Sequence, residues 1–241
     1  ASKEHPYVIT TTAGLDLLAK KVNSGTIYNY QGKYFKLGAD ITYDKNNLTI
    51  DNDNDGTNDS NYTPIGGNFG FIKHFCGTFD GGGHTVKGIT IVRKGKTNGD
   101  SFQGLFGYLG KGGTVSHVTL DESSIKGFFS TGGIVGYNNG GNIIDCHVTA
   151  SVSIIASQRD SGFFGGIAGY NNSGLIAGCT SAASIKGVNN STDNLYFGGI
   201  VGANNGTIKD CIYLGSEVGG GRYVGAITGY NYDASVINCY Y

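Results

Sequence analysis

Gly133-Ile134-Val135-Gly136-Tyr137-Asn138 decides the fold of this chain, because its pattern returns four more times with small changes. The other copies are Gly104-Leu105-Phe106-Gly107-Tyr108, Gly166-Ile167-Ala168-Gly169-Tyr170, Gly199-Ile200-Val201-Gly202-Ala203 and Ala226-Ile227-Thr228-Gly229-Tyr230. The closing glycines stand at 107, 136, 169, 202 and 229, in steps of 29, 33, 33 and 27. Self-similarity at such a period predicts stacked supersecondary units instead of one irregular core.

Each copy leads through a polar turn into a second phrase, of which Gly141-Asn142-Ile143-Ile144-Asp145-Cys146 is typical. Val118, Cys146, Cys179, Cys211 and Cys239 share one slot in it, and Ile89 extends the slot backwards. A Val or Ile stands three residues before each slot residue, and an odd number of steps needs a bend or bulge if both are to face inward. A third apolar segment follows, at Ile125, at Val152 with Ile154, at Ile185 and at Val218. Three short strands in about 30 residues describe one coil of a parallel β-helix. Coils would stack about 4.8 Å apart. Leu105, Ile134, Ile167, Ile200 and Ile227 would form one interior column, with glycines permitting the sharp corners. A helical solenoid fits worse, since each scattered glycine would cost close to ~1 kcal/mol there. Asn138-Asn139, Asn171-Asn172 and Asn204-Asn205 mark one corner, where an amide can bond along the stack.

The fold expected is therefore all-β, a right-handed parallel β-helix with a short N-terminal capping α-helix, in one domain over residues 1–241. Residues 1–40 hold the helix cap and first strands, 41–100 the first coils with an acidic insertion at 44–62, and 101–241 the repeats. The helix reads from Thr11 to Gly25, with Leu15, Leu18 and Val22 on one face. Laid over the open end of a solenoid, it would protect the first coil's strand edge.

Composition narrows the function classes. The 43 glycines follow no G-X-Y period, which excludes collagen, and 16 Tyr with 12 Phe argue against disorder. A net charge of -1 gives no electrostatic reason to expect a nucleic acid or an anionic membrane as partner. No apolar stretch reaches the roughly 18 residues of a membrane span. The start, Ala1-Ser2-Lys3-Glu4, reads as a mature or trimmed end without a signal segment. The finish, Cys239-Tyr240-Tyr241, falls inside the repeat phrase and suggests a C-terminal continuation domain.

With these phrases in view, the chain resembles the GLUG-repeat proteins of bacterial cell surfaces, abundant in gut Bacteroidetes. The same repeat stands beside the catalytic domain of bacterial IgA-specific metallopeptidases. Gly133-Ile134-Val135-Gly136-Tyr137-Asn138 and its copies carry the resemblance, with Tyr34-Phe35-Lys36-Leu37-Gly38-Ala39-Asp40-Ile41, Pro64-Ile65-Gly66 and Gly77-Thr78-Phe79-Asp80-Gly81-Gly82-Gly83-His84-Thr85-Val86. It covers residues from about 7 to the end, the departures being Ala203 for Tyr, Ala226 for Gly, and the 44–62 insertion. It implies an extracellular or cell-surface β-helix with an adhesion role, and no catalytic residues.

Four features compete as sites. Asp51, Asp53, Asp55 and Asp59, with the Thr57 carbonyl, match the start of an EF-hand-type calcium loop. Tyr62 replaces the closing Glu, so the alternative is a solvated acidic loop, and any calcium would be structural. The five cysteines read as free thiols, four of them packed along the interior, because a linear ladder is not a tetrahedral zinc site. Cys76 stands apart near His74 and reads as a strand residue. The position before the slot runs His117, Asp145, Gly178, Asp210, Asn238, placing Asp145 and Asp210 two coils, roughly 9.6 Å, apart. That spacing approaches the carboxylate pair of an inverting glycosidase.

Recurrent aromatics form the last feature: Tyr108, Tyr137, Tyr170 and Tyr230 after the phrase, and Phe102, Phe128, Phe129, Phe163, Phe164, Tyr196, Phe197 and Tyr223 before it. They are either a corner stacking column or an exposed strip for sugar rings or a protein partner. The leading expectation is a non-enzymatic adhesion or ligand-binding β-helix whose partner is a host or bacterial surface glycan or protein. The alternatives are a polysaccharide hydrolase or lyase using Asp145, Asp210 and His117, and an accessory spacer of a larger surface protease.

Overall fold

The computed structural model describes residues 1–24, 30–51, 55–68, 72–94, 101–157, 161–187 and 194–241. One turn of the chain shows how the sequence makes a coil. Ser130–Gly132 is a strand, Gly133 and Ile134 turn the chain, and Val135–Asn139 follows. After Gly140 and Gly141 come Asn142–Ile144, then His147–Val148, then Ser153–Ala156. Each of these pairs in parallel and in register with its counterpart one coil on, in Ser161–Gly165, Ala168–Ala177, Thr180–Ser181 and Ser184–Lys186. Ala168–Ala177 is one long strand that serves two positions. The chain is a parallel β-helix, and its antiparallel contacts among the described residues are confined to Gly67–Asn68 with Ile72–Lys73 and an Ile50–Ser60 bridge.

A coil has five strand positions, where the phrases suggested three. The extra ones arise because an apolar phrase bends in its middle. The residue before the slot has a left-handed backbone in every coil: φ is 52° at His117, 48° at Asp145, 66° at Gly178, 53° at Asp210 and 50° at Asn238. That bend solves the odd spacing, since Val115, Ile143, Ile176 and Ile208 are buried together with Val118, Cys146, Cys179 and Cys211. Asp, Asn, His and Gly are the residues that tolerate this conformation best. Ile89 does not belong to the slot. Val86 pairs with Leu120 and the Ile89 carbonyl accepts from the Ser124 amide, which puts Ile89 at the next corner. The counterpart of Thr114–Ser116 is Thr78–Asp80, and Thr85–Lys87 corresponds to Thr119–Asp121, one strand further round the coil.

The interior column is present. Leu105, Ile134, Ile167 and Ile200 are fully buried, each worth about 2 kcal/mol of burial. Ile227, in the last coil, is partly buried against the same core. The phrase glycines serve a different purpose from the one expected. None of Gly136, Gly169, Gly202 and Gly229 has a positive φ. A Cβ at Gly136 would lie 2.6 Å from the Gln103 amide nitrogen, and one at Gly169 2.5 Å from that of Thr131. These glycines let the strand after each turn press against the backbone of the preceding coil.

At the N-terminal end the helix Thr12–Ser24 buries Leu15, Leu18, Ala19 and Val22 in the common core. The Thr11 hydroxyl oxygen accepts from the Gly14 amide at 3.2 Å, the capping bond its sequence predicts. The Asn23 side chain ties the other end down, donating to the Pro64 carbonyl at 3.0 Å and accepting from the Gly66 amide at 2.8 Å. Gly25, the expected stop, lies outside the described residues. The strand Tyr7–Ile9 leads in by pairing with Tyr34–Leu37.

The close approach gives a direct test. Gly169→Ala should lose about 1–3 kcal/mol in urea unfolding, because the backbone has to move. Gly219→Ala, where a Cβ meets nothing within 4 Å, should stay close to wild type. Equal effects at the two positions would contradict this account of the phrase.

Candidate functional site

The left-handed corners gather the residues that sequence reading made candidate acids. His117 Nδ1 lies 3.0 Å from Asp80 Oδ1, and its Nε2 3.7 Å from Asp145 Oδ2. Asp210 Oδ1 accepts from Asn238 Nδ2 at 3.3 Å, and Gly178 is the corner residue of the coil between Asp145 and Asp210. The His117 and Asp145 side chains are about half exposed, on a ridge. A backbone demand already accounts for the identity of all five residues on this ridge. The stack places Asp145 and Asp210 two coils apart, as their spacing suggested.

In the acidic insertion, Asp51 folds the loop around its own carboxylate. Asp51 Oδ1 accepts from the Asp55 amide at 3.2 Å and Oδ2 from the Gly56 amide at 2.9 Å. Asp55 Oδ1 takes the Thr57 amide at 2.9 Å. Lys94 reaches in from the next coil, with Nζ 2.5 Å from Asp55 Oδ2 and 3.2 Å from Asp59 Oδ2. Its hydrogen bond holds the Asp55 carboxyl below the usual carboxylate range, and the two carboxylates push the ammonium up. Asp53 lies outside the described residues. Asp55 and Asp59 thus have a counter-charge that local sequence reading did not supply.

The cysteines are thiols. Cys146, Cys179 and Cys211 are buried in the slot, and Cys239 is half-buried at the last coil. Burial pushes the Cys179 thiol well up, and the hydrogen bond that Cys211 donates to Cys179, followed by burial, pushes the Cys211 thiol up. Buried, neutral thiols are inert packing groups. Cys76 is buried apart from them.

Among the described residues, aromatic rings make a continuous row that crosses several coils. Tyr108, Tyr137, Tyr170, Ala203 and Tyr230 are in register down the stack. Tyr108 stacks on Tyr137 at 5.0 Å and 9°, and Tyr137 meets Tyr170 edge-on at 5.1 Å. From Tyr170 the row continues to Phe163 at 5.0 Å, to Tyr196 at 5.3 Å and to Tyr223 at 4.5 Å, with every step stacked. Such contacts are each worth about 0.5–1.5 kcal/mol beyond the area they bury. Phe164 and Phe197, one residue further along their strands, point inward and are fully buried. Strand alternation therefore splits Phe163–Phe164 and Tyr196–Phe197 between surface and core, whereas Phe128 and Phe129, ahead of Ser130–Gly132, are both half-buried.

Sequence reasoning missed Tyr232. Where Ala203 leaves a gap, the Tyr232 ring stands 6.2 Å from Tyr170 and 4.5 Å from Tyr230 and bridges it. Its spacing from the phrase is unique to the last coil, so only the missing Tyr at 203 could have hinted at it. The amides of Asn139, Asn172 and Asn205 lie beside Tyr108, Tyr137 and Tyr170 respectively, and each pulls its tyrosine down slightly against the larger upward push of burial. Just inside, Asn138, Asn171, Asn204 and Asn231 form a donor-to-acceptor row at 2.8–2.9 Å.

Comparison with known proteins agrees with this architecture. Residues 129–153 match the family model described as the GLUG motif. Halomucin of Haloquadratum walsbyi is 34% identical over 138 residues, which are 57% of this chain and 1% of Halomucin. A candidate Gly-rich membrane protein of Evansella cellulosilytica is 33% identical over 146 residues, 59% of this chain and 14% of that protein. The chain thus spans a small part of the length of these curated relatives. A crystal structure from Bacteroides ovatus, designated a candidate immunoglobulin A1 protease, superposes with a TM-score of 0.70 at 24% identity. It covers 98% of this chain and 65% of its own, and the likeness is one of fold.

Half-burial shows in how the ribbon titrates. Desolvation first, and the neighbouring tyrosines second, push the Tyr137 hydroxyl up to about 12. A raised acid favours its neutral form in the fold. Its share of stability is complete below the ordinary tyrosine value and is lost as pH rises through about 12. Absorbance titration should therefore resolve a late tyrosine phase in the folded chain that merges with the rest in urea. One common phase in both states would refute the packing described.

Proposed function

We propose that this GLUG-repeat chain is a non-enzymatic, extracellular or cell-surface β-helix that binds a ligand in adhesion. The observation that carries the reading is the half-exposed aromatic ribbon, a rigid apolar surface on a scaffold whose acids are accounted for by its corners. Monomeric proteins rarely expose a contiguous apolar surface without a partner for it. Supporting it, no helix among the described residues is long and apolar enough to cross a membrane. The enzymatic alternative rests on Asp145, Asp210 and His117. The protease designation of the Bacteroides ovatus structure supports a second reading, an accessory β-helix beside a catalytic domain.

Beads coated with the chain should be retained on mucin-coated or matrix-protein-coated surfaces above beads carrying an unrelated protein. No oligosaccharide should be released from polysaccharides. The double variant Asp145→Asn with Asp210→Asn keeps residues that accept a left-handed backbone, so it removes both charges and spares the corners. It should adhere like wild type. Product release that this variant abolishes would establish the enzymatic alternative instead.

Calcium is proposed for the insertion as a loop-tightening ion. Among the described residues no three His, Cys, Asp or Glu side chains converge to hold an ion, so Asp51, Asp55, Asp59 and the Thr57 carbonyl would have to draw together to bind it, with Asp53 from outside the described residues. Lys94 and such an ion compete for the same two carboxylates, Asp55 and Asp59. Lys94→Gln should therefore lower the melting temperature and enlarge the rise on adding calcium beyond that of wild type. Melts that ignore both calcium and chelator in both proteins would retire the ion.

A further inference from the structure

We infer that the aromatic ribbon is the binding face for an uncharged polysaccharide chain lying along the solenoid axis. The inference rests on the binding reading above and gives it a ligand class and a place. The first argument is periodicity. Tyr137, then Tyr170 with Phe163, then Tyr196, then Tyr223 stand on successive coils, Tyr170 and Phe163 side by side in one coil, and neighbouring ring centroids are 4.5–5.3 Å apart. A partner that meets an equivalent ring at each step has to repeat on that scale itself. A polysaccharide does: its pyranose C–H groups would lie along the ring edges that stacking leaves open, with its hydroxyls toward the amides beside them.

Charge is the second argument. The ribbon rings are neutral, and Arg222, over Tyr223 at 5.3 Å, stands at the C-terminal end of this run. A single-stranded nucleic acid would also stack on rings but needs a row of cations along its backbone. The polar groups interleaved with the rings are the neutral amides of Asn139, Asn172 and Asn205, bonded to one another at 2.8 and 3.1 Å. That is a surface for neutral hydroxyls.

The third argument is preorganisation. Ring packing on both sides holds Tyr137 and Tyr170, so a ligand pays little ordering entropy on docking. The face also has a defined beginning. Tyr108 and Phe102 are buried, and the His74 ring lies against Tyr108 at 5.9 Å. The open run starts at Tyr137, so the binding residues belong to the coils after it.

The test uses the chain as it is, in native gels containing laminarin, mannan, galactomannan or xyloglucan. At least one of these should retard it. Having 16 Tyr and no Trp, the chain should report the same ligand through its tyrosine emission. Tyr196→Ala and Tyr223→Ala should each weaken retardation about tenfold. Tyr196→Phe, which keeps the ring, should restore it, and Asp145→Asn should leave it unchanged. Circular dichroism shows that the variants are folded. Retardation by none of the four polysaccharides overturns the inference, and so does retardation that Tyr196→Ala leaves intact. If beads still adhere in either case, the binding reading stands with a protein partner or another glycan face; if adhesion fails as well, both fall.

Discussion

A buried amide bonded to its own image one coil away is the constraint on which this β-helix depends. Asn138 donates to Asn171, Asn171 to Asn204 and Asn204 to Asn231, at 2.9, 2.8 and 2.9 Å. Each of the first three also donates to the carbonyl of a corner glycine, Gly141, Gly174 or Gly206. Leaving one such group unsatisfied in the interior would cost about 1–3 kcal/mol, so no coil can slip against its neighbour alone. The row holds even where one coil loses a residue at this corner, between Asn172 and Leu175 on one side and Asn205 and Thr207 on the other. A second row, from Asn205 through Asn172 to Asn139, donates in the opposite direction. The two amide dipoles therefore largely cancel.

Register imposed at that corner propagates around the coil. It sets aliphatic side chains over one another in the interior and thiols over thiols in the slot. It also brings each left-handed corner over the last, so His117 finds Asp145, while Asp80 reaches His117 from the end of its strand. Outside, the same register carries aromatic rings into van der Waals contact. A repeating scaffold thus creates arrays of identical groups automatically. The ridge of acids has a complete backbone explanation, whereas the half-exposed rings exceed what the coil needs, since Phe164 and Phe197 already fill the inner side of their strands.

Much of this was legible. The repeat period, the Ile column, the Asn corner and the helix with its Thr11 cap follow from spacing and residue type. The five-position coil was harder to read, because a residue such as Asp145 announces a left-handed turn only when its φ is known. The glycine phrase was read for the right place and the wrong reason. Its spacing marks the turn, but the contact that demands Gly169 is with Thr131, on another strand. The candidate sites divided similarly. The recurrent tyrosines were visible, but Tyr232 was not, and Lys94 stands 39 residues from Asp55 with no local signal linking them.

By itself, the sequence determined the architecture, because a coil's needs repeat and a repeated need leaves the same residue type at the same interval. Apolar inward positions, amide corners and small residues at turns recur for that reason. Only the tertiary structure decided which side of the wall each repeated residue occupies and what it meets there. Strand alternation puts Phe163 outside and Phe164 inside, and coil stacking brings Lys94 to Asp55 and Tyr232 into the gap at Ala203. Those meetings depend on distances between coils, which a linear period does not encode.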